Sequence, residues 1–280
     1  MSRNSFLIAQ LSDIHCGSPF FDSQLLHDAV EEVRAVAPDL VLVGGDLTTD
    51  GYAHEFRDAQ SHLEPLLEAE LTTVVIPGNH DAKNVGYLHF VDSFGPGDVP
   101  GKGDRVLHLT GGAGEAVTLV AMDSTKPDLA EGEIGRERYS WIRQQFSAPA
   151  DLRIFALHHH LVPVPGTGRE RNTVWDSGDV LALLSEVGVD LVLSGHKHVP
   201  FVWLLNSLLV VNSGTVSSHR LRGYVRPSYN LLEITPDRIV VTLRYPGTGE
   251  RHAAELNRQE MRLHPNPELA GMFAKSAWHA

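Results

Sequence analysis

Cysteine is almost absent: Cys16 is the only one in 280 residues. One thiol cannot close an intramolecular disulfide, which fits a reducing compartment, and it cannot build a structural zinc site of the multi-cysteine kind. Basic residues are scarce beside acidic ones, 23 against 35, giving a formal charge of −12. A surface of that sign repels polyanions, so long nucleic acid is a disfavoured partner. No apolar run approaches the length of a membrane span. The start, Met1-Ser2-Arg3-Asn4 before Phe6-Leu7-Ile8-Ala9, has no long h-region and no small-residue cleavage site. Internal repeats, low-complexity blocks and linkers are missing as well. These absences lead to the expectation of a soluble cytoplasmic protein with no membrane partner, folded as a single domain over residues 1–280.

Histidine, by contrast, is abundant, at 16 residues. Several follow short runs rich in β-branched residues, which read as buried strands. Phe6 to Leu11 runs into Ser12-Asp13-Ile14-His15. On an extended backbone Asp13 and His15, two apart, leave on the same side. Cys16 then points away and reads as a small packing residue. An amphipathic helix is expected over 21–37, with Leu25, Leu26, Val30 and Val33 on one stripe. Asp39 to Val43 forms the next strand and ends at Gly44-Gly45-Asp46, where glycine lets the chain turn and keeps room around Asp46. A helix over 53–70 leads to the strand Leu71 to Ile76 and the turn Pro77-Gly78-Asn79-His80-Asp81. Strands at 117–122 and 153–157 follow, the second delivering His158-His159-His160, with a helix over 135–146 between them. A helix over 176–187 precedes the strand Asp190 to Leu193, which ends at Ser194-Gly195-His196-Lys197-His198. The alternation predicts a parallel sheet whose strand ends face one crevice. Later strands at 201–205, 208–211, 229–234 and 239–244 lack intervening helices and predict antiparallel hairpins. Residues 252–280 read as a C-terminal arm or helix: docked, part of a homodimer contact, or partly mobile.

A single turn rich in Gly, Asn and Asp is ordinarily just a turn. Five strands ending in Asp13/His15, Asp46, Asn79/His80, His158 and His196/His198 are a different matter. Carboxylate, amide oxygen and imidazole are donors for Mn, Fe or Zn ions. Seven candidate ligands exceed the needs of one ion and suit two ions bridged by a carboxylate.

Asp13-Ile14-His15, Gly44-Gly45-Asp46, Gly78-Asn79-His80-Asp81, His158-His159 and Gly195-His196-Lys197-His198 resemble, in order, the motifs of the calcineurin-like metallophosphoesterases. The resemblance covers residues 5 to about 215. It implies an α/β fold, a four-layer α/β/β/α sandwich with a dinuclear metal site at the strand ends. It also implies that Asp13, His15, Asp46 and His198 hold one metal, and that Asp46, Asn79, His158 and His196 hold the other. His80 would then stand beside the scissile phosphate, oriented by Asp81, with Asn79 also near the substrate. The chain is most similar to the compact bacterial class III cyclic-nucleotide phosphodiesterases and their glycerophosphodiesterase relatives. Besides its length, Asn212-Ser213-Gly214-Thr215 and Pro227-Ser228-Tyr229-Asn230 carry that likeness. It departs at His160-Leu161-Val162-Pro163, where relatives often place prolines directly after the paired histidines.

The expected chemistry is hydrolysis of a phosphoric ester, first of all a small phosphodiester such as a 3',5'-cyclic nucleotide. Two cations, Mn and/or Fe with Zn a further candidate, would generate hydroxide for in-line attack at phosphorus. His80 would stabilise charge or protonate the leaving alkoxide. No Ser or Cys nucleophile is required, so no covalent phosphoenzyme is expected. A phosphomonoesterase or nucleotidase is the alternative, and a non-catalytic scaffold is a third reading that the full ligand set disfavours. Arg169 and Arg171 in the loop after His158, and Arg220 and Arg222 after Ser213-Gly214-Thr215, are candidate substrate contacts, since a guanidinium can hold phosphate through two hydrogen bonds.

Overall fold

Strands that are apolar on both faces need a packed layer on each side. The computed structural model describes residues 4–95, 97, 103–112, 114–167, 173–222 and 225–269, and it meets that need with two sheets and two helical layers. In the first sheet β1 (Phe6–Leu11), β2 (Leu40–Val43) and β3 (Thr73–Val75) run parallel. On the other side of β1 come β10 (Tyr229–Ile234), β11 (Arg238–Tyr245), β12 (Gly249–Asn257) and β13 (Arg262–Pro265), each antiparallel to its neighbour. The second sheet has β5 (Ala116–Met122), β6 (Leu152–Leu157), β7 (Leu191–Ser194) and β9 (Leu208–Asn212) in parallel. Its edges, β4 (Arg105–Thr110) and β8 (Phe201–Leu205), are antiparallel.

The two-residue period of the strands sorts their side chains between cores. Phe6, Ile8, Leu40 and Leu42 of the first sheet meet Leu119, Ile154, Leu191 and Leu209 of the second in one central core. Ala9, Leu11, Val41 and Val43 face the other way, against α1 (Ser23–Val36), α2 (Ala53–Leu67) and α3 (Gly86–Phe94). Val120, Phe155 and Val192 likewise pack against α4 (Tyr139–Gln145) and α5 (Ser177–Glu186). The result is the expected α/β/β/α sandwich. Burial of an average aliphatic side chain contributes about 1.5–3 kcal/mol, so these three cores hold the strand ends rigidly in place.

Three expectations change. The single parallel sheet is two mixed sheets: strands joined by tight turns, such as β8–β9 and β10–β11, pair with reversed direction, while β9 returns parallel to β7 by way of β8. The C-terminal arm or helix expected from 252 begins as sheet: His252 and its neighbours continue β12, β13 pairs with it, and 267–269 are helical. β4 and α3 add elements that the apolar pattern did not announce. β4 is an edge strand with Arg105 and His108 on it, so its hydrophobic signal is thin. No helix among the described residues is long and apolar enough to cross a membrane.

Candidate metal centre

The loops after β1, β2, β3, β6 and β7 gather at one end of the sandwich, and their backbones are unusual. Asp13, His15, Asp46, His196 and His198 all have positive φ, between 53° and 81°. That region is costly for a residue with a side chain and persists only where the surroundings enforce it, which is common at functional sites. Asp13 and His15 therefore do not sit on extended backbone as the sequence reading assumed. They converge because the chain coils left-handedly, held by Asp13 N–H donating to Gly45 O and His15 N–H to Asp46 O, each 2.9 Å. Thr215 Oγ donates to Asp13 O at 2.6 Å from the far side.

Ligand atoms of Asp13, His15 and His198 lie within 4.8 Å of one another, as do those of Asp46, His158 and His196. Asp46 joins the two groups: its Oδ2 is 3.8 Å from His15 Nε2 and 3.4 Å from His158 Nε2. His198 Nε2 is 3.4 Å from Asp13 Oδ1 and 2.9 Å from His15 Nε2. Asp13 Oδ1, Asn79 Oδ1 and His158 Nε2 are buried with no hydrogen-bond partner. Stranding three such atoms in one place is expensive unless something else satisfies them. Oxygen and imidazole donors without thiolate suit two borderline or hard divalent cations, so the residues present fit a dinuclear site.

The imidazoles are aimed by backbone carbonyls, which only accept. His158 Nδ1 donates to Gly44 O and His198 Nδ1 to Arg220 O, both at 2.7 Å. In each ring this leaves Nε2 as the free donor atom, the second layer of bonding that metal-binding histidines use. Gly45 and Gly78 permit the close approach. A Cβ on Gly45 would lie 2.7 Å from His158 Nδ1, and one on Gly78 would lie 2.3 Å from Asp46 Oδ1.

His80 lines the cleft over this cluster, and its ring stands 4.8 Å from that of His15 between centroids. It is not oriented by Asp81. His80 Nδ1 donates to Thr49 O at 2.6 Å. The Asp81 carboxylate is fully buried beneath and accepts from Leu47 N–H, Gly78 N–H, Thr48 N–H and Thr48 Oγ at 2.7–3.1 Å. Asp81 thus ties the loop after β2 to the loop after β3, a positioning task that the adjacent sequence position concealed.

Charge in the cluster is strongly coupled. Burial alone would push the His158 imidazolium down, but the Asp46 carboxylate beside it pushes its pKa up to about 9. Burial pushes His15 the other way, down to about 3. Burial would raise Asp46, but His158, His80 and His15 hold it well below the usual carboxylate range.

The cleft is further lined by Asn79, Ala130, Lys197, Arg220, Leu221 and Arg222. Arg169 and Arg171 lie outside the described residues. His219 does not join Arg220 at the cleft; its ring bonds Asp22 Oδ2 at 2.9 Å beside the start of α1. Asn212 and Asn230 do not reach the cleft either. Asn212 Nδ2 donates to Ser194 Oγ within one sheet and Asn230 Nδ2 to Gln10 Oε1 within the other, while Asn230 Nδ2 also donates to Asn212 O and joins the two behind the site. Lys197 was passed over in the sequence reading, although a lysine between two candidate ligands was a readable signal. His159 and His160 turn inward, bonding Ser124 Oγ and Gly195 O.

A model of the family described as calcineurin-like phosphoesterase matches residues 6–200. The chain is 27% identical over 206 residues to the "Probable cyclic nucleotide phosphodiesterase" of a Synechococcus strain, covering 70% of this chain and 74% of that one. It is also 27% identical to the glycerophosphodiester phosphodiesterase of Enterobacter lignolyticus, covering 69% and 70%. Among solved structures, a dimetal phosphatase from Danio rerio superposes with a TM-score of 0.66 at 14% identity, over 88% of this chain and 98% of that one.

Proposed function

Starting from a chain that belongs to the calcineurin-like phosphoesterase family and is a metal-dependent phosphoesterase, we propose that it hydrolyses a small phosphodiester such as a 3',5'-cyclic nucleotide. The observation that carries this reading is Asp46, whose one free carboxylate oxygen faces both ligand groups under a cleft lined by Asn79 and His80. The names borne by the two relatives point to diesters over monoesters.

In this proposal Asp13, His15, Asp46 and His198 hold one cation, and Asp46, Asn79, His158 and His196 hold the other. Mn and/or Fe suit the donors, and Zn is compatible with them. When bound, two such cations supply Lewis-acid charge to phosphoryl oxygens and lower the pKa of water. The chain's own groups do the rest. His80, anchored through Nδ1 to Thr49 O, presents Nε2 to the cleft. From there it neutralises charge on the phosphoryl group or hands a proton to the departing alkoxide. Among the described residues no Ser, Thr or Cys lines the cleft, and Cys16 is fully buried, which supports attack by water over a covalent phosphoenzyme. Arg220 and Arg222 stand on the cleft wall as substrate contacts. The net charge of −12 favours a small substrate over long nucleic acid.

The test compares bis-(p-nitrophenyl) phosphate, p-nitrophenyl phosphate and a panel of 3',5'-cyclic nucleotides with Mn-loaded protein. Faster turnover of the diester is expected. Turnover of the monoester alone would replace this reading with a phosphomonoesterase.

A further inference from the structure

Lys197 lies between His196 and His198 and is half-buried in the cleft wall that also presents Arg220 and Arg222. Among the described residues none of these three side chains makes a hydrogen bond or ion pair. Elsewhere the chain pairs its cations readily: Lys83 with Asp50, Lys126 with Glu133, Arg136 with Asp179, Arg138 with Asp104. In a protein with 35 acidic residues, three cations on one wall with no bonded carboxylate among the described residues are a local exception. Two exposed arginines alone would be ordinary hydrated surface. The half-buried lysine is not, because an ammonium withdrawn from water needs a counter-charge.

Asp46, Asp13 and Glu131 act on Lys197 only from a distance, and none of them bonds it. Asp13 accepts from His196 N–H through Oδ2 and faces His15 and His198 through Oδ1. Asp46 accepts from His80 N–H through Oδ1 and faces His15 and His158 through Oδ2. Both are committed to the metal clusters. The scissile group of a phosphodiester carries one negative charge, and Asn79, His80 and the metal clusters already address its oxygens. Three further cations therefore exceed what a singly charged diester can satisfy.

We infer that the preferred substrate is a diester bearing a second anionic group, of phosphate character, close to the scissile phosphorus, and that Lys197 together with Arg220 and Arg222 receives it. Resting on the phosphodiesterase reading, this adds a preference within small diesters: those with an additional phosphoryl group over simple cyclic nucleotides. Ammonium and guanidinium hold such a group by charge-assisted hydrogen bonds.

The test uses two chromogenic diesters that differ in one group, the p-nitrophenyl ester of thymidine 5'-phosphate with and without a 3'-phosphate. The metal-loaded protein should show a kcat/KM about 10–100-fold higher for the 3'-phosphorylated compound, the span expected of one or two hydrogen bonds to charged groups. Lys197→Gln should raise KM for that compound far more than for the other, with little change in kcat, and Lys197→Arg should restore the preference. Calorimetric binding of thymidine 3',5'-bisphosphate against thymidine 5'-phosphate gives a readout independent of turnover, with the same loss expected in Lys197→Gln. Equal handling of both ligands by the parent protein would overturn the inference, as would a Lys197→Gln variant that weakens both equally. If neither diester is turned over while the bisphosphate still binds preferentially, the phosphodiesterase reading fails and the second anionic site stands.

Discussion

The backbone N–H of His80 donates to Asp46 Oδ1 at 2.8 Å, leaving Oδ2 alone to face His15 and His158. Asp46 would thus offer two cations one free oxygen, its direction fixed by the loop that also carries the candidate acid. Loss of that anion exposes two like charges to each other at close range, where repulsion is strong. Asp46→Ala is expected to lose turnover together with most bound metal. Elemental analysis showing two metals per chain and normal rates in this variant would refute the assignment.

His80 is anchored through Nδ1 to Thr49 O, and its ring also lies within ligand range of His15 and Asp46, so metal content separates a ligand from an acid. His80→Ala should keep its metal content and lose about 10²–10⁴-fold in turnover, the scale of a positioned acid or base. The deficit should shrink for p-nitrophenolate esters, whose leaving group scarcely needs a proton. An equal deficit with poor and good leaving groups would reassign His80 to stabilising charge.

Asp81 behaves differently because it works through the backbone. Asparagine in its place offers one oxygen where four donors now converge on two. Asp81→Asn should cost about 1.5–3 kcal/mol of stability, the price of unpairing a buried donor from a charged acceptor, and this is measured by denaturant unfolding. A fully stable Asp81→Asn protein with the kinetics of His80→Ala would instead restore Asp81 as the partner of the His80 ring.

Gly78→Ala tests the close approach. The added methyl would fall 2.2 Å from the Asp46 backbone nitrogen, so the loop after β3 or Asp46 must move. Expected outcomes are reduced metal content and lost turnover with the circular dichroism of the sandwich retained. Unchanged metal binding would show that these loops tolerate displacement.

Metal uptake should depend on pH. With its pKa pushed up to about 9, His158 is protonated at neutral pH in the metal-free protein, and a cation must displace that proton. Apparent affinity should therefore rise with pH to about 9, with proton release visible as a buffer-dependent heat of binding. The same raised pKa stabilises the metal-free fold fully below the unfolded value of about 6.5 and loses that contribution as pH climbs through about 9. Thermal midpoints of chelated protein across pH 6–9.5 should fall accordingly, and a flat profile with no proton release would contradict the pairing of His158 with Asp46.

The sequence by itself determined the sandwich core and the places where chemistry-bearing residues emerge. Apolar two-residue periodicity is local, and so is a turn such as Pro77-Gly78-Asn79 directly after a strand. β1, β8 and β10 match the expected spans residue for residue, and the strand-end motifs lie where those runs stop. Edge strands β4 and β13 were not legible, because Arg105, His108, Arg262 and His264 interrupt their apolar signal. The division of labour inside the site was settled only by tertiary structure. The left-handed turns of Asp13 and His15 are imposed by Gly45 and Asp46, more than thirty positions away. His80 finds its anchor in Thr49, and Asp81 finds its donors in Leu47 and Thr48, at separations of 31 to 34 residues. Lys197 acquires meaning only beside Arg220 and Arg222 on the same wall. Hydrogen bonds and charge balance of this kind depend on distances between loops from different strands, and spacing along the chain does not encode those distances.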